Sequence, residues 1–140
     1  MADDIFRFRN FPVYKEVRIY RKDLKRIAKK KFPVEEKYCL TFQLRRALNS
    51  VLLNIAEGTD RISDVDFSKF LNISLTSLNE VISCLDIALD DEYITENDHK
   101  LYSIRGQDIY KQLKALTSKI RKDGKNTKSS RKNKKGLTVI

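Results

Sequence analysis

Glycine and proline are scarce in this chain, and their scarcity restricts the fold more than any other feature of the sequence. Only 4 glycines and 2 prolines occur among the 140 residues, whereas an all-β domain needs such residues in its many turns. A chain of this length forms one domain and can bury a core without disulfides or metals. The composition therefore predicts an all-α domain.

The first helix is predicted over residues 12–31. Pro12 fits a first helical turn, and Phe32-Pro33 ends the helix because proline disfavours helical geometry in the residue before it. The apolar residues recur at steps of three and four, which places them on one face. They are Val13, Val17, Tyr20, Leu24 and Ile27.

A row of basic residues follows the same helix about 200° away from its apolar face. We call this row the basic ridge, and it consists of Lys15, Arg18, Lys22, Lys25 and Lys29. The chain carries a net charge of +10, but residues 15–31 hold nine bases and two acids, whereas residues 57–98 hold two bases and eleven acids. Positive and negative charges are thus concentrated in different parts of the chain, and the basic part attracts polyanions.

Two further helices are predicted over residues 41–57 and 64–90. Thr41 is placed to cap the first of these, and Gly58 to adopt the left-handed conformation after it. Ser63 and Asp66 form a capping pattern at the start of the second.

The helix over residues 64–90 carries two neighbouring apolar stripes, which is a wider apolar surface than one neighbouring helix covers. The stripes are Phe67-Leu71-Ser74-Leu78-Leu85 and Phe70-Ile73-Ser77-Val81-Cys84. This width predicts that a second subunit covers part of the helix.

A fourth helix is predicted over residues 96–121, with Thr95 and Asp98 as its capping pair. Gly106 inside it indicates either a close neighbour or a bend. Residues 1–121 would then form an up-and-down antiparallel four-helix bundle. Residues 122–140 hold seven bases and one acid, with almost no apolar content before Leu137, which predicts a flexible basic tail.

The sequence offers few groups for catalysis. His99 is the one histidine, so a metal site with two Glu-x-x-His motifs cannot be assembled. A Ser-His-Asp or Cys-His arrangement would have to use the same residue. Cys39 and Cys84 belong to no recognisable motif and are predicted to be small buried thiols in a reducing cytosol. No cofactor is expected. The lack of these motifs predicts that the protein is not an enzyme. The sequence also has no apolar run long enough for a membrane span, which predicts a cytoplasmic protein.

Several short motifs resemble a known family, the four-helix-bundle proteins encoded within intervening sequences of bacterial 23S rRNA genes. The resemblance is carried chiefly by Gln43-Leu44-Arg45-Arg46-Ala47 and by Asn54-Ile55-Ala56-Glu57-Gly58, with Arg61 just beyond. It implies a four-helix bundle that assembles as a ring-like homo-oligomer, commonly a pentamer. It also points to the accessory proteins of diversity-generating retroelements, which bind nucleic acid and associate with a reverse transcriptase.

The polar residues of this family signature allow two interpretations. They could line a shared surface or pore, or they could pair with one another or with Glu80 to fix the register of the helices. The structural interpretation is favoured, because buried polar groups are best known in that role. The signature residues are Arg45, Arg46, Asn54, Glu57 and Gly58.

The sequence thus predicts a protein that binds RNA or DNA through contacts between basic side chains and phosphates. The expected contacts come from the basic ridge and from four residues of the tail: Arg131, Lys132, Lys134 and Lys135. The alternative is a protein-interaction scaffold, in which the basic ridge meets the acidic residues 57–98 of a neighbouring subunit or of another protein.

Overall fold

The structure is a computed structural model that describes residues 4–135, and the side chains of residues 4–122. Across the described residues it contains helices and no strands, which confirms the predicted all-α class. A short 3-10 turn precedes the first helix and another follows it, at Arg7–Asn10 and Val34–Glu36. The four helices are α1 (Pro12–Lys31), α2 (Leu40–Thr59), α3 (Asp64–Asp90) and α4 (Glu96–Lys135).

Polar contacts between the first and last helices show that α1 and α4 run antiparallel. Lys31 pairs with Asp98, Asp23 with Arg105, and Glu16 with Gln112. The residue numbers fall along α1 as they rise along α4. The seam between the two helices, which we call the α1–α4 seam, closes the bundle.

Helices α2 and α3 also run antiparallel, and small side chains hold them together. The Ser50 and Ser77 hydroxyls lie 2.7 Å apart, and the Ser74 hydroxyl donates to the Val51 carbonyl at 2.9 Å. Because Ser74 is fully buried, this hydrogen bond satisfies a hydroxyl that would otherwise be costly to bury. We call this contact the α2–α3 seam.

The core lies between the four helices and is almost entirely aliphatic. Its largest fully buried side chains come from all of them: Val17, Tyr20, Leu24, Leu44, Leu48, Val51, Ile55, Leu71, Leu78, Leu85, Ile109 and Leu113. Burial of so much apolar surface is the main source of stability in a fold of this kind.

The helix starts agree with the sequence at α3 and α4 but not at α2. The Ser63 hydroxyl accepts from the Asp66 amide at 3.1 Å, and Thr95 and Asp98 cap each other reciprocally. The prediction that Thr41 caps α2 is wrong, because the helix already begins at Leu40. There, a Glu36 carboxylate oxygen accepts the Leu40 amide at 3.3 Å.

Two of the glycines inside helices, Gly58 and Gly106, mark close approaches between helices. The prediction of a left-handed Gly58 is wrong, since α2 continues to Thr59 and Gly58 is buried against α3. A β-carbon at Gly58 would lie 2.8 Å from the Phe70 β-carbon. One at Gly106 would lie 2.8 Å from a terminal methyl of Ile82, which favours the close neighbour over the bend.

The C-terminal helix is longer than the sequence indicates. Its backbone continues to Lys135, whereas the predicted helix ends at residue 121 and gives way to a flexible tail. Residues 122–135 contain no proline and many lysines, which are good helix formers, so one weakly unfavourable Gly124 does not end the helix. Residues 136–140 lie outside the described part of the chain.

The apolar stretches of the described helices are too short for any of these helices to traverse a lipid bilayer.

Candidate nucleic-acid interface

All five side chains of the basic ridge are exposed on the outer face of α1. Among the side chains of residues 4–122, no carboxylate lies within ion-pair distance of any of them. Five cations therefore follow one helix face over about 21 Å, at 1.5 Å per residue. An anionic partner would meet them without first displacing an internal acid.

The two acids of α1 face a different side of the helix. The Glu16 carboxylate accepts a hydrogen bond from the Gln112 amide, and the Asp23 carboxylate lies 3.0 Å from the Arg105 guanidinium. Both partners belong to α4. The α1–α4 seam therefore takes up the negative charges of α1 and leaves its outer face purely basic.

Arg105 is fixed in the seam by two aromatic rings as well as by Asp23. Its guanidinium lies 5.4 Å from the Tyr20 ring centre and 5.3 Å from that of Tyr102. The buried Tyr20 hydroxyl donates to the Tyr102 carbonyl at 2.8 Å, and burial raises the Tyr20 pKa well above its ordinary value. Tyr20 is therefore a neutral core residue that anchors α4 against α1.

Two bases that are not among the predicted phosphate contacts lie beside the basic ridge and widen the basic surface. Arg26 and Lys30 are exposed, and no carboxylate within residues 4–122 pairs with either. They follow Lys22 at successive steps of four residues, a spacing that places neighbours together on a helix. The same spacing rule that identifies the ridge could have found them.

Arg45 extends the basic surface onto α2. The Arg21 side chain donates to the Asn49 side-chain oxygen at 2.6 Å, which fixes the register between α1 and α2. Lys25 lies one turn after Arg21, and Arg45 lies one turn before Asn49. Because α1 and α2 run antiparallel, Lys25 and Arg45 face each other. Arg45 is exposed and has no carboxylate partner among the described side chains, which favours a surface role for it.

The other signature residues lie along the α2–α3 seam. Arg46 pairs with Glu80 at 3.6 Å, as the structural interpretation expects. Asn54 donates back to the Ser50 carbonyl at 2.8 Å, and Glu57 pairs with Arg61. These contacts lie within α2, across to α3, or in the connection between the two helices, and none of them involves the basic ridge.

The described structure does not cover the basic side chains of the tail. Arg131, Lys132, Lys134 and Lys135 lie on the backbone of α4, but their side chains are outside the described residues. Their proposed contacts with phosphates stay predictions.

The candidate catalytic groups are dispersed. His99 is half-buried and lies 2.7 Å from the Asp86 carboxylate. Cys84 is buried, and burial raises the pKa of its thiol to about 11, so it stays protonated near neutral pH. Cys39 is exposed, contrary to the prediction of a buried thiol, because it precedes the first turn of α2. Within the described side chains, no three potential metal ligands come together.

Comparison with known proteins places this bundle in a family. Residues 9–123 match the family described as 23S rRNA-intervening sequence protein. The chain belongs to this family. Its match begins just before α1, spans α2 and α3 and ends within α4, so it includes both the basic ridge and the α2–α3 signature.

A solved structure agrees with the fold of this 23S rRNA-intervening sequence family member. It is a protein with unknown function from the S23 ribosomal protein family of Bacteroides thetaiotaomicron, 23% identical, with a TM-score of 0.66. The alignment covers 75% of this chain and 97% of the other. No curated protein matches the chain. At this identity the similarity establishes the helical fold alone.

Proposed function

We propose that this protein is a non-enzymatic, homo-oligomeric bundle that binds RNA or DNA electrostatically through the outer face of α1. The observation that carries the proposal is the separation of charge on α1. Its two acids are engaged by α4, while all five ridge cations are exposed and have no carboxylate partner among the described side chains. The family name, which refers to an intervening sequence of rRNA, is compatible with this role.

The strength of such binding follows from counterion release. Each phosphate that a lysine or arginine neutralises releases condensed cations, which adds affinity without regard to sequence. The ridge shows no pattern of side chains for reading bases in a groove. Selectivity would therefore come from the shape of the nucleic acid or from a protein partner.

The α2–α3 seam supports the proposal of a homo-oligomer. Leu53 and Ile73 lie one turn beyond the Ser50–Ser77 contact on opposite helices, and they are 63% and 43% exposed. A second subunit placed over them would bury both side chains. We propose five subunits, the number that the family resemblance implies, and light scattering on the purified protein would measure it.

An oligomer would strengthen weak binding. Several basic ridges presented by one particle act together through effective concentration, so the affinity of the assembly exceeds that of one subunit. Association with a reverse transcriptase, also implied by the resemblance, would place this assembly beside a nucleic-acid enzyme. Co-purification of the two proteins with and without nuclease treatment tests that partnership.

The direct test is binding to fluorescent RNA and DNA at about 50 mM salt, where phosphate contacts are strong. We expect Lys22→Glu to weaken binding strongly. Lys111→Glu is the matched control, because it makes the same charge change at an exposed position of α4. A full-length variant with alanine at the four tail positions measures the contribution of the tail. If the wild-type protein does not bind under these conditions, the proposal is wrong.

The scaffold alternative has its own supporting observation. Asp90, Asp91, Glu92 and Glu96 are exposed around the α3–α4 connection, and none has a cationic partner among the described side chains. They could meet the basic ridge of another subunit. In that case Lys22→Glu would change the oligomeric state, and the wild-type protein would not bind nucleic acid.

A further inference from the structure

We propose that the protein binds single-stranded nucleic acid, and that unpaired bases stack on an aromatic cluster at the N-terminal end of the basic ridge. The cluster consists of Phe6, Phe8 and Tyr14. This inference rests on the proposed function, since it requires the ridge to hold the phosphates. It adds the class of nucleic acid that the surface recognises.

The segment that carries two of these rings is held in place by its neighbours. The Arg7 guanidinium donates to the Thr59 carbonyl at the end of α2, at 2.7 Å. The Phe11 ring stacks on Phe67 of α3, with ring centres 6.3 Å apart and planes inclined by 13°. Arg7 and Phe11 therefore anchor the segment, and the rings between and before them are left for another role.

The three aromatic rings form a continuous row. The ring centres of Phe6 and Phe8 are 6.1 Å apart, and those of Phe8 and Tyr14 are 5.0 Å apart with an edge-to-face geometry. Phe6, at the outer end, is 47% exposed although it is a large apolar side chain. Phe8 and Tyr14 are half-buried. The outermost ring therefore contributes little to the core and offers an apolar surface to solvent.

Basic side chains accompany this row of rings. The Arg9 guanidinium lies 5.2 Å from the Phe6 ring centre, pairs with the Asp4 carboxylate at 3.2 Å and is largely exposed. Guanidinium planes and aromatic rings both stack on nucleobases. Arg18 lies four residues after Tyr14, so the two side chains are neighbours on one face of α1. The aromatic row thus continues directly into the basic ridge.

This arrangement suits a strand whose bases are unpaired. In a duplex the faces of the bases are stacked on one another, so a protein ring can stack on them only if base steps are first unstacked, which costs a few kcal/mol per step. Proteins that bind single strands combine a basic track for the backbone with aromatic side chains on which successive bases stack. The ridge provides the track, and the aromatic cluster provides the stacking surface at one end of it.

The experiment compares full-length protein on three labelled probes of about 12 nucleotides per strand, a length typical of such sites. The probes are oligouridylate, oligothymidylate and an RNA duplex of mixed sequence. The variants are Phe6→Leu, which keeps an apolar side chain but removes the ring, and Phe6→Tyr, which keeps the ring. Tyr110→Leu is the control, because Tyr110 is an exposed aromatic on α4 that also has a lysine over its ring.

We expect Phe6→Leu to bind the single-stranded probes about 5-fold to 100-fold more weakly, while its duplex binding is unchanged. Phe6→Tyr and Tyr110→Leu should bind like the wild type. Stronger binding to oligouridylate than to oligothymidylate would identify RNA as the preferred source of unpaired bases, and the reverse would identify DNA; either result supports the stacking site. Thermal unfolding of each variant confirms that the fold is intact.

Two results would overturn this inference. If Phe6→Leu weakens duplex and single-stranded binding equally, or changes neither, the aromatic cluster does not stack on bases, although the proposed function survives. If the wild-type protein binds none of the probes, both proposals fail together.

Discussion

The two polar seams of the bundle differ in what holds them together. In the α2–α3 seam, a glycine and small hydroxyl side chains bring two backbones into close contact. In the α1–α4 seam, three pairs of polar side chains, Lys31 with Asp98, Asp23 with Arg105 and Glu16 with Gln112, span a wider separation. The α2–α3 seam therefore depends on the close packing of small side chains, and the α1–α4 seam depends on ion pairs and hydrogen bonds between long side chains.

This difference distinguishes the residues that hold the fold together from those that we propose to contact nucleic acid. Most of the family signature lies along the α2–α3 seam, where Arg46 pairs with Glu80 across the two helices and Asn54 and Glu57 make local contacts. The α1–α4 seam instead removes the acids of α1 from the outer surface, so that only bases remain there. Apart from Arg45, the residues that best identify the family are therefore different from those that we expect to contact nucleic acid.

The largest expected effect is on the α2–α3 seam. Gly58→Ala places a methyl group 2.8 Å from the Phe70 β-carbon and 2.9 Å from the Phe67 ring, and neither neighbour can rotate away easily. Overpacking of this kind typically destabilises a fold by about 1–3 kcal/mol. Denaturant unfolding of the purified variant measures the loss.

Gly106→Ala is the matched control for that substitution. Its new methyl group would lie 2.8 Å from a terminal methyl of Ile82, which can change rotamer, and 3.1 Å from the Tyr20 hydroxyl, which needs to shift only slightly, while the helix gains about 1 kcal/mol of intrinsic propensity. We expect a clearly smaller loss than at Gly58. Equal losses at the two glycines would mean that the α2–α3 seam is no more sensitive to an added methyl group than the contact at Gly106, and no loss at Gly58 would mean that α2 and α3 do not depend on close contact.

The next effect separates the two sides of α1. Asp23→Asn removes a half-buried ion pair with Arg105 and should lower the free energy of unfolding by about 1 kcal/mol, while nucleic-acid binding does not weaken. Lys25→Ala should do the opposite, with weaker binding and unchanged stability. If Asp23→Asn weakens binding, or Lys25→Ala destabilises the fold, the acids and the exposed bases of α1 do not have these separate roles.

The smallest effect is a pH dependence at the end of the α1–α4 seam. The hydrogen bond from the Lys31 ammonium holds the pKa of the Asp98 carboxyl below its ordinary value. A carboxyl with a lowered pKa stabilises the fold above its unfolded pKa of about 3.9, and this contribution is lost as the pH falls through the lower, folded pKa. Asp98→Asn should therefore be less stable than the wild type near neutral pH.

The difference between Asp98→Asn and the wild type should shrink as the pH falls below about 4, since the wild-type carboxyl is then protonated too. Asp90→Asn serves as the control, because Asp90 is exposed and has no cationic partner among the described side chains. Acid unfolding followed by circular dichroism measures all three proteins. A difference that is constant across this pH range would show that the Lys31 contact does not stabilise the fold.

Local sequence patterns predicted the helical class and the caps at Ser63 and Thr95, because these depend on residues three or four positions apart. The roles of Gly58 and Gly106 depend on which helix lies opposite, so periodicity alone could not assign them. Likewise, the spacing of Lys15 and its neighbours located the basic ridge. The partners of Glu16 and Asp23 lie more than 80 residues further along the chain, and only the folded structure reveals them.

The central claim is that the outer face of α1 binds phosphates, and the salt dependence of binding tests it most directly. For a duplex probe, the logarithm of affinity falls against the logarithm of salt concentration by about 0.9 for each phosphate contact. We predict that alanine at both Lys22 and Lys25 makes this slope shallower by the amount expected for the loss of about two phosphate contacts, whereas Lys111→Ala leaves the slope unchanged. A slope that is identical in all three proteins would contradict the account.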